Sequence, residues 1–322
     1  MGVDKIFWDR IDYDGSLEDI SKIICKEYNL GKVVSNRLVL TGYEDFNYVL
    51  KTSKGKCFVK VFANSRSIKE CKHIVNIMTS AGNSGIATPK LLRSRNGYLY
   101  INKKHNLRLC VMQYIDGKNL FYDHKIPDTK QIKAVARDAA RINTLKIGHI
   151  SIYDQWAIVN FKKEFKKKFR YLSQKDLKSL QPLIAEFDNL HMDKLPHAFV
   201  HGDILTTNTI EDKDGKLWIV DFSVSNNYPR IIEIAILACN LLYNKDNKDK
   251  SKRNLSIALS EYQKILPLTK RELEVLPTFI KLAHAMHVLL PSYYAVVEHN
   301  NTEENKYFLN LGRTGLRQMQ SI

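Results

Sequence analysis

Long apolar runs are missing from this chain of 322 residues: no stretch of about 18 consecutive apolar side chains occurs, so no segment reads as a membrane span. The segment from Met1 to Arg10 also lacks the basic region, apolar core and small-residue cleavage site of a secretory signal. Cysteine is scarce. The five that occur, Cys25, Cys57, Cys71, Cys110 and Cys239, stand far apart, form no C-x-x-C pair and include an odd one, which argues against a disulfide framework or a zinc site. They read as buried reduced thiols. No internal repeat, low-complexity tract or long Gly/Ser linker breaks the chain. The expectation from these absences is a soluble, globular, cytoplasmic protein.

What is present is apolar content and positive charge. Hydrophobic residues make up 44%, enough for a sizeable core in one large or two modest domains. The formal charge of +16 concentrates anions such as nucleotides, phosphorylated metabolites, nucleic acid or lipid headgroups, and does not choose among them.

Periodicity divides the chain into two parts. The Ser16–Tyr28 segment has helical spacing, with apolar Leu17, Ile20, Ile23 and Ile24. Five β-rich runs follow, at Arg37–Thr41, Asn47–Lys51, Cys57–Phe62, Tyr98–Asn102 and Leu107–Tyr114, separated by turn residues at Gly42, Lys54–Gly55, Asn96–Gly97 and His105–Asn106. They predict a small meandering antiparallel sheet, interrupted by one helix from Ser67 to Thr79. Beyond Asp116–Gly117 the composition turns helical, with amphipathic segments at Thr129–Leu145, Asn160–Leu172, Gln174–Asp188, Asn254–Leu266 and Lys270–Leu289. A β-rich insert, His197–Val200 and Thr209–Phe222, breaks that series. The expected boundary lies at 114/115, giving a β-rich part, 1–114, and a mainly helical part, 115–322, packed as lobes around a cleft.

The most informative stretch is His201-Gly202-Asp203-Ile204-Leu205-Thr206-Thr207-Asn208, followed downstream by Val220-Asp221-Phe222-Ser223. It places a carboxylate, an amide and a second carboxylate on a strand, loop and hairpin. Phosphoryl transfer needs such groups: a base for the attacking hydroxyl, and hard oxygen ligands for magnesium. An isolated D-x-x-x-x-N also serves turns and helix caps. The complete loop with its downstream Asp-Phe resembles the aminoglycoside phosphotransferase and choline kinase-like family, whose catalytic loop reads H-G-D-x-x-x-x-N. The resemblance implies an α+β, two-lobed protein-kinase-like fold, with a small antiparallel N-lobe carrying one helix and a larger helical C-lobe. It also implies an ATP-dependent transfer of phosphate to a small-molecule hydroxyl, with GTP as an alternative donor. Asp203 would be the base, Asn208 and Asp221 the Mg2+ ligands, and His201 a catalytic-loop residue that either braces the loop by a hydrogen bond or touches substrate.

Three further segments fit the same resemblance. Lys60, in Phe58-Val59-Lys60-Val61-Phe62, matches the family's nucleotide lysine, although a solvent-facing strand lysine has the same pattern. Glu70 is the nearest carboxylate on the following helix that could hold Lys60. Ser67 and Glu70 also spell an S-x-x-E capping box, which would turn the glutamate back on its own helix start. In Cys110-Val111-Met112-Gln113-Tyr114-Ile115-Asp116-Gly117, Gln113 and Ile115 would offer backbone hydrogen bonds to adenine and Met112 would line its pocket. The turn Thr41-Gly42-Tyr43-Glu44-Asp45-Phe46-Asn47 could fold over phosphates, or be an ordinary hairpin, since it lacks the repeated glycines of a protein-kinase loop. After Asp221 the chain has Ser223 and Val224 where the family often has glycine and a second acid, which leaves the number of metal ions open. Glu233 stands near a helix start, placed to brace the catalytic loop or to cap.

Two rivals remain. The basic stretch Lys162 to Arg170 motivates a nucleic-acid or membrane binder, but Phe161, Phe165, Phe169 and Leu172 fall on one helical face and the lysines on a solvated one. No RNA- or DNA-binding module is recognisable, so neither specific nucleic acid nor membrane is an expected partner. The other rival is a kinase-like scaffold with weak or no catalysis. Oligomeric state is not specified. The acceptor would be an amino alcohol, an amino acid such as homoserine, a sugar or an antibiotic; sparse carboxylates in the last eighty or so residues argue against a polycationic antibiotic. His284, His287, Tyr293 and Tyr294 are candidates to face it, or else core residues.

Overall fold

The computed structural model describes residues 3–40, 42–148, 150 and 152–320; Thr41, the first residue of the predicted hairpin turn, lies outside them. Two short helices open the chain, α1 (Val3–Asp9) and α2 (Leu17–Glu27). The second begins where Ser16 accepts from the Asp19 amide and Asp19 answers on the Ser16 amide, a complete capping box. Then come β1 (Val33–Val39), β2 (Phe46–Thr52), β3 (Gly55–Val61), α3 (Ile68–Asn83), β4 (Tyr100–Asn102) and β5 (Leu107–Gln113). All five strands join one antiparallel sheet in the order β1-β2-β3-β5-β4. The register sets Lys60 of β3 beside Asn47 of β2 and Cys110 of β5. The period-two pattern of β2 turns Phe46, Tyr48 and Leu50 onto Ile20 and Ile24 of α2, which is the core of this part. α1 adds Phe7 to it, a helix that sequence periodicity did not mark.

The rest of the chain carries β6 (Gly117–Asn119), α4 (Leu120–Asp123), α5 (Thr129–Ile142), α6 (Phe161–Lys168), α7 (Gln174–Leu180), α8 (Leu183–Asp188), β7 (His197–Val200), β8 (Thr209–Asp212), β9 (Leu217–Ile219), β10 (Asn226–Pro229), α9 (Ile231–Cys239), α10 (Lys248–Gln263), α11 (Lys270–Val297) and α12 (Glu303–Gln320). The single helix expected over 174–188 is two, with Pro182 at the start of the second. α11 runs past the expected stop at Leu289, through Pro277 and Pro291. By length and composition α11 could cross a membrane, but 72% of its most apolar window is buried among neighbouring helices, as in a core helix. α9 and α12 pack against it. Gly312 and Gly315 bring α12 close: a Cβ at Gly315 would sit 2.1 Å from the His284 imidazole.

The chain divides into two compact units. One comprises everything up to Lys118 together with Asp212–Asp214 and Trp218–Phe222; the other holds Asn119–Glu211, Gly215–Leu217 and Ser223 onward. The sequence expectation is one cut at 114/115, whereas the observed division returns residues from the β8–β9 hairpin to the first unit. A backbone bond explains part of this, since the Ile219 amide donates to the Ala87 carbonyl at 2.7 Å.

Candidate active site

In the first unit, Lys60 is 3% exposed, and an ammonium so buried requires carboxylates. Asp45 Oδ2 lies 2.9 Å from Nζ, and the Asp221 oxygens lie at 3.0 and 3.1 Å. Burial acts to lower the Lys60 pKa, but the charges of Asp221 and Asp45 overcome it and hold the amine firmly protonated. Asp45 is equally enclosed. Burial would raise its carboxyl, while Lys60, Arg66 and the Ala63 amide bring it well below the ordinary range. Arg66 donates from Nε to Asp45 Oδ1 at 2.9 Å and from its other arm to Glu44.

Glu70 is not part of this cluster. Its carboxylate accepts the Ser67 amide at 2.6 Å while Ser67 Oγ accepts the Glu70 amide, so the capping box prevails and the expected ion pair with Lys60 is replaced by one with Asp45. A carboxylate bound to its own helix start has no reach left for a neighbouring strand. Asp221 has φ of 66°, a left-handed conformation that Asp tolerates better than most residues. Met112 is 5% exposed, paired opposite Phe58. The Gln113 amide already donates to Lys90 O at 2.8 Å, so the backbone bond expected from Gln113 is left to its carbonyl. β5 ends at Gln113, and Ile115 follows outside any strand or helix, buried.

In the second unit, β7 delivers the loop His201–Asn208. Gly202 takes φ of 77°, which reverses the chain immediately before Asp203. The Asp203 amide donates to His201 Nδ1 at 3.2 Å, which places the ring proton on Nε2. Asn208 Nδ2 donates to Asp203 Oδ2 at 2.5 Å and to its carbonyl at 3.1 Å, so the Asn208 amide oxygen points away from that carboxylate. Behind the loop lies Glu233, buried on α9. It accepts the His201 amide at 2.6 Å, the Gly202 amide at 3.3 Å and Asn143 Nδ2 at 3.2 Å. Burial pushes its carboxyl up to about 7, against the pull of those donors. Asn240 Oδ1 holds the Thr206 amide at 2.8 Å.

Sequence reasoning placed Glu233 at this loop, but missed Asp45, Arg66, Asn143 and Asn240. For Asp45 a signal existed, an acid in the hairpin turn next to the lysine strand; Asn143 and Asn240 carry no local motif.

His284 and His287 are 1% and 4% exposed, and burial lowers their pKa to about 3 and about 4, which makes them neutral core groups among helices. Tyr294 stacks on Trp156, ring centroids 5.9 Å apart. The basic face of α6 is partly neutralised, with Lys162 on Asp188 at 2.6 Å and Lys167 and Lys168 on buried Glu164. Among the described residues no group of three or more His, Cys, Asp or Glu is placed to hold a metal ion.

The chain is a small-molecule kinase: it belongs to the phosphotransferase enzyme family, which it matches over residues 36–262. Among curated proteins it is similar to homoserine kinase of Rhizobium rhizogenes (strain K84), 21% identical over 270 residues that cover 83% of this chain and 82% of that one. Among solved structures it is similar to amicoumacin kinase in complex with AMP-PNP, Ca2+ and amicoumacin, with a TM-score of 0.66 and 15% identity over 94% of this chain and 96% of that one. It is also similar to spectinomycin phosphotransferase in complex with ADP and spectinomycin, with a TM-score of 0.70 and 11% identity over 96% of this chain and 100% of that one. At such identities the two structures speak for the fold.

Proposed function

We propose that this kinase transfers the γ-phosphoryl group of ATP to the hydroxyl of a small amino acid or amino alcohol, homoserine being the first to test. The observation that carries the chemistry is the state of Asp203. Its backbone is fixed by Gly202, His201 and Asn208, and Asn208 occupies one carboxylate oxygen, Oδ2. The Asp203 carboxylate is then the group that receives the acceptor's proton. As the proton moves to Asp203, the acceptor oxygen forms a bond to the γ-phosphorus, the bond from that phosphorus to the β–γ bridging oxygen breaks, and ADP leaves with the electron pair. Lys60 holds the α- and β-phosphates, and the hinge Met112–Ile115 holds the base.

Asn208 and Asp221 would hold Mg2+. Their amide and carboxylate oxygens are hard donors, and so small a protein set suits an ion that keeps waters and shares phosphate oxygens. Bound there, magnesium supplies neutralisation of the phosphate charge. The acceptor choice is supported by the similarity to homoserine kinase along 83% of the chain. A cytoplasmic location accords with five free, buried thiols.

The test is ADP release from ATP and magnesium with a panel of homoserine, choline, ethanolamine, sugars and aminoglycosides. Asp203→Asn should lower turnover by about 100-fold or more while leaving the thermal transition in place. Unchanged turnover would remove Asp203 as the base, and ATP binding with no acceptor turned over would favour the scaffold reading.

A further inference from the structure

Lys60 has two carboxylate partners, and they differ in kind. Asp221 offers both oxygens to Nζ, but its side chain is 33% exposed. Asp45 is 1% exposed and engaged on both oxygens, Oδ2 by Lys60 and Oδ1 by Arg66 Nε and the Ala63 amide, at 2.9 and 3.0 Å. The groups around it are themselves fixed. Arg108 donates to the Arg66 carbonyl and to Asn64 Oδ1, and Asn64 Nδ2 donates to the Ile11 carbonyl. From the other side Arg10 reaches the carbonyls of Asp45 and Gly42 at 2.9 and 3.0 Å. The turn 42–45 is therefore held by a guanidinium at each flank, and its aspartate cannot swing away from β3.

We infer that Asp45, anchored by Arg66, is the positioning residue that presents Lys60 to the nucleotide phosphates, in place of a carboxylate from α3. The inference rests on the nucleotide role given to Lys60 above. Glu70 is committed to the Ser67 amide. Asp221, as the exposed partner, exchanges Lys60 for other positive charge when phosphates arrive, whereas Asp45 keeps its hold throughout. Lys60 can thus leave one carboxylate for a phosphate without losing its place.

Asp45→Asn is nearly isosteric, retains an oxygen for the Ala63 amide and Arg66, and removes the charge. The expected result is ATP binding weakened about tenfold by titration calorimetry, with adenosine, which carries no phosphate, bound as by the wild type. In turnover the KM for ATP rises more than the KM for the acceptor. A merely structural defect would weaken both ligands together. Wild-type ATP affinity in Asp45→Asn, or an equal rise in ATP KM from Glu70→Gln, overturns the inference. If Asp45→Asn does not fold, Arg66→Gln removes the guanidinium from Asp45 Oδ1, leaving only the Ala63 amide of its two donors there, and should weaken ATP binding about threefold; wild-type affinity there overturns it as well. A wild-type protein that binds no ATP defeats both this inference and the nucleotide reading, while ATP binding that is equal in wild type and variants defeats this inference alone.

Discussion

Glu233 is buried and forms no ion pair among the described residues, and this arrangement has a cost that pH reveals. Its carboxyl has an ordinary value of 4.5, and burial raises it to about 7. Below 4.5 the group is protonated in folded and unfolded chains alike, so it contributes no pH dependence there. Between that value and about 7 the unfolded chain releases the proton and the folded chain retains it, so stability falls by about 1.4 kcal/mol per pH unit. The total loss approaches about 3 kcal/mol and levels off above about pH 7, with about 2.5 kcal/mol of it between pH 5 and 8. Glu233→Gln removes the titration. It also sets an amide NH2 against one of the His201, Gly202 and Asn143 donors, a constant cost of about 1–3 kcal/mol. Urea unfolding of both proteins from pH 5 to 8 gives the difference in stability free of all other titrating groups. Wild type should lose ground to Glu233→Gln as pH rises. A flat difference would mean the buried carboxyl titrates as in the unfolded chain. A difference that grows in favour of wild type would mean that the backbone donors of the loop, rather than burial, dominate.

Gly315→Ala should destabilise by about 1–3 kcal/mol or more and lower the Tm, because the added Cβ meets an imidazole that is buried and cannot retreat; an unchanged melting curve would show that α12 can shift. All five cysteines are free and buried, and burial pushes Cys57 and Cys110 up to about 12. A thiol reagent at pH 8 should therefore label none of them in the native protein and all five in guanidinium, and prompt labelling of any one would refute its burial.

The local hydrogen bonding of the loop His201–Asn208 was legible because its groups are close in sequence: His201, Asp203 and Asn208 fall within eight residues. The strands of the sheet were legible for the same reason, through alternation and turn residues. α12 was not, since its two glycines are poor helix formers and reveal their purpose only against α11. α11 was read short because Pro291 signals a stop that tertiary burial overrides. The partner of Lys60 was left open for a related reason. Glu70 satisfies two local patterns at once, and only the three-dimensional competition shows that the nearer amide prevails while Asp45 takes the lysine.

The return of Trp218–Phe222 to the first unit bears on how the chain is made. Every strand of the five-stranded sheet has been synthesised once Gln113 is translated, and domains generally fold from the N-terminus as they emerge. Yet Lys60 then has only Asp45, because its other carboxylate is encoded at position 221. The first unit can begin to fold early but is chemically unfinished until a much later stretch has been synthesised, and no single cut in the gene would release it whole.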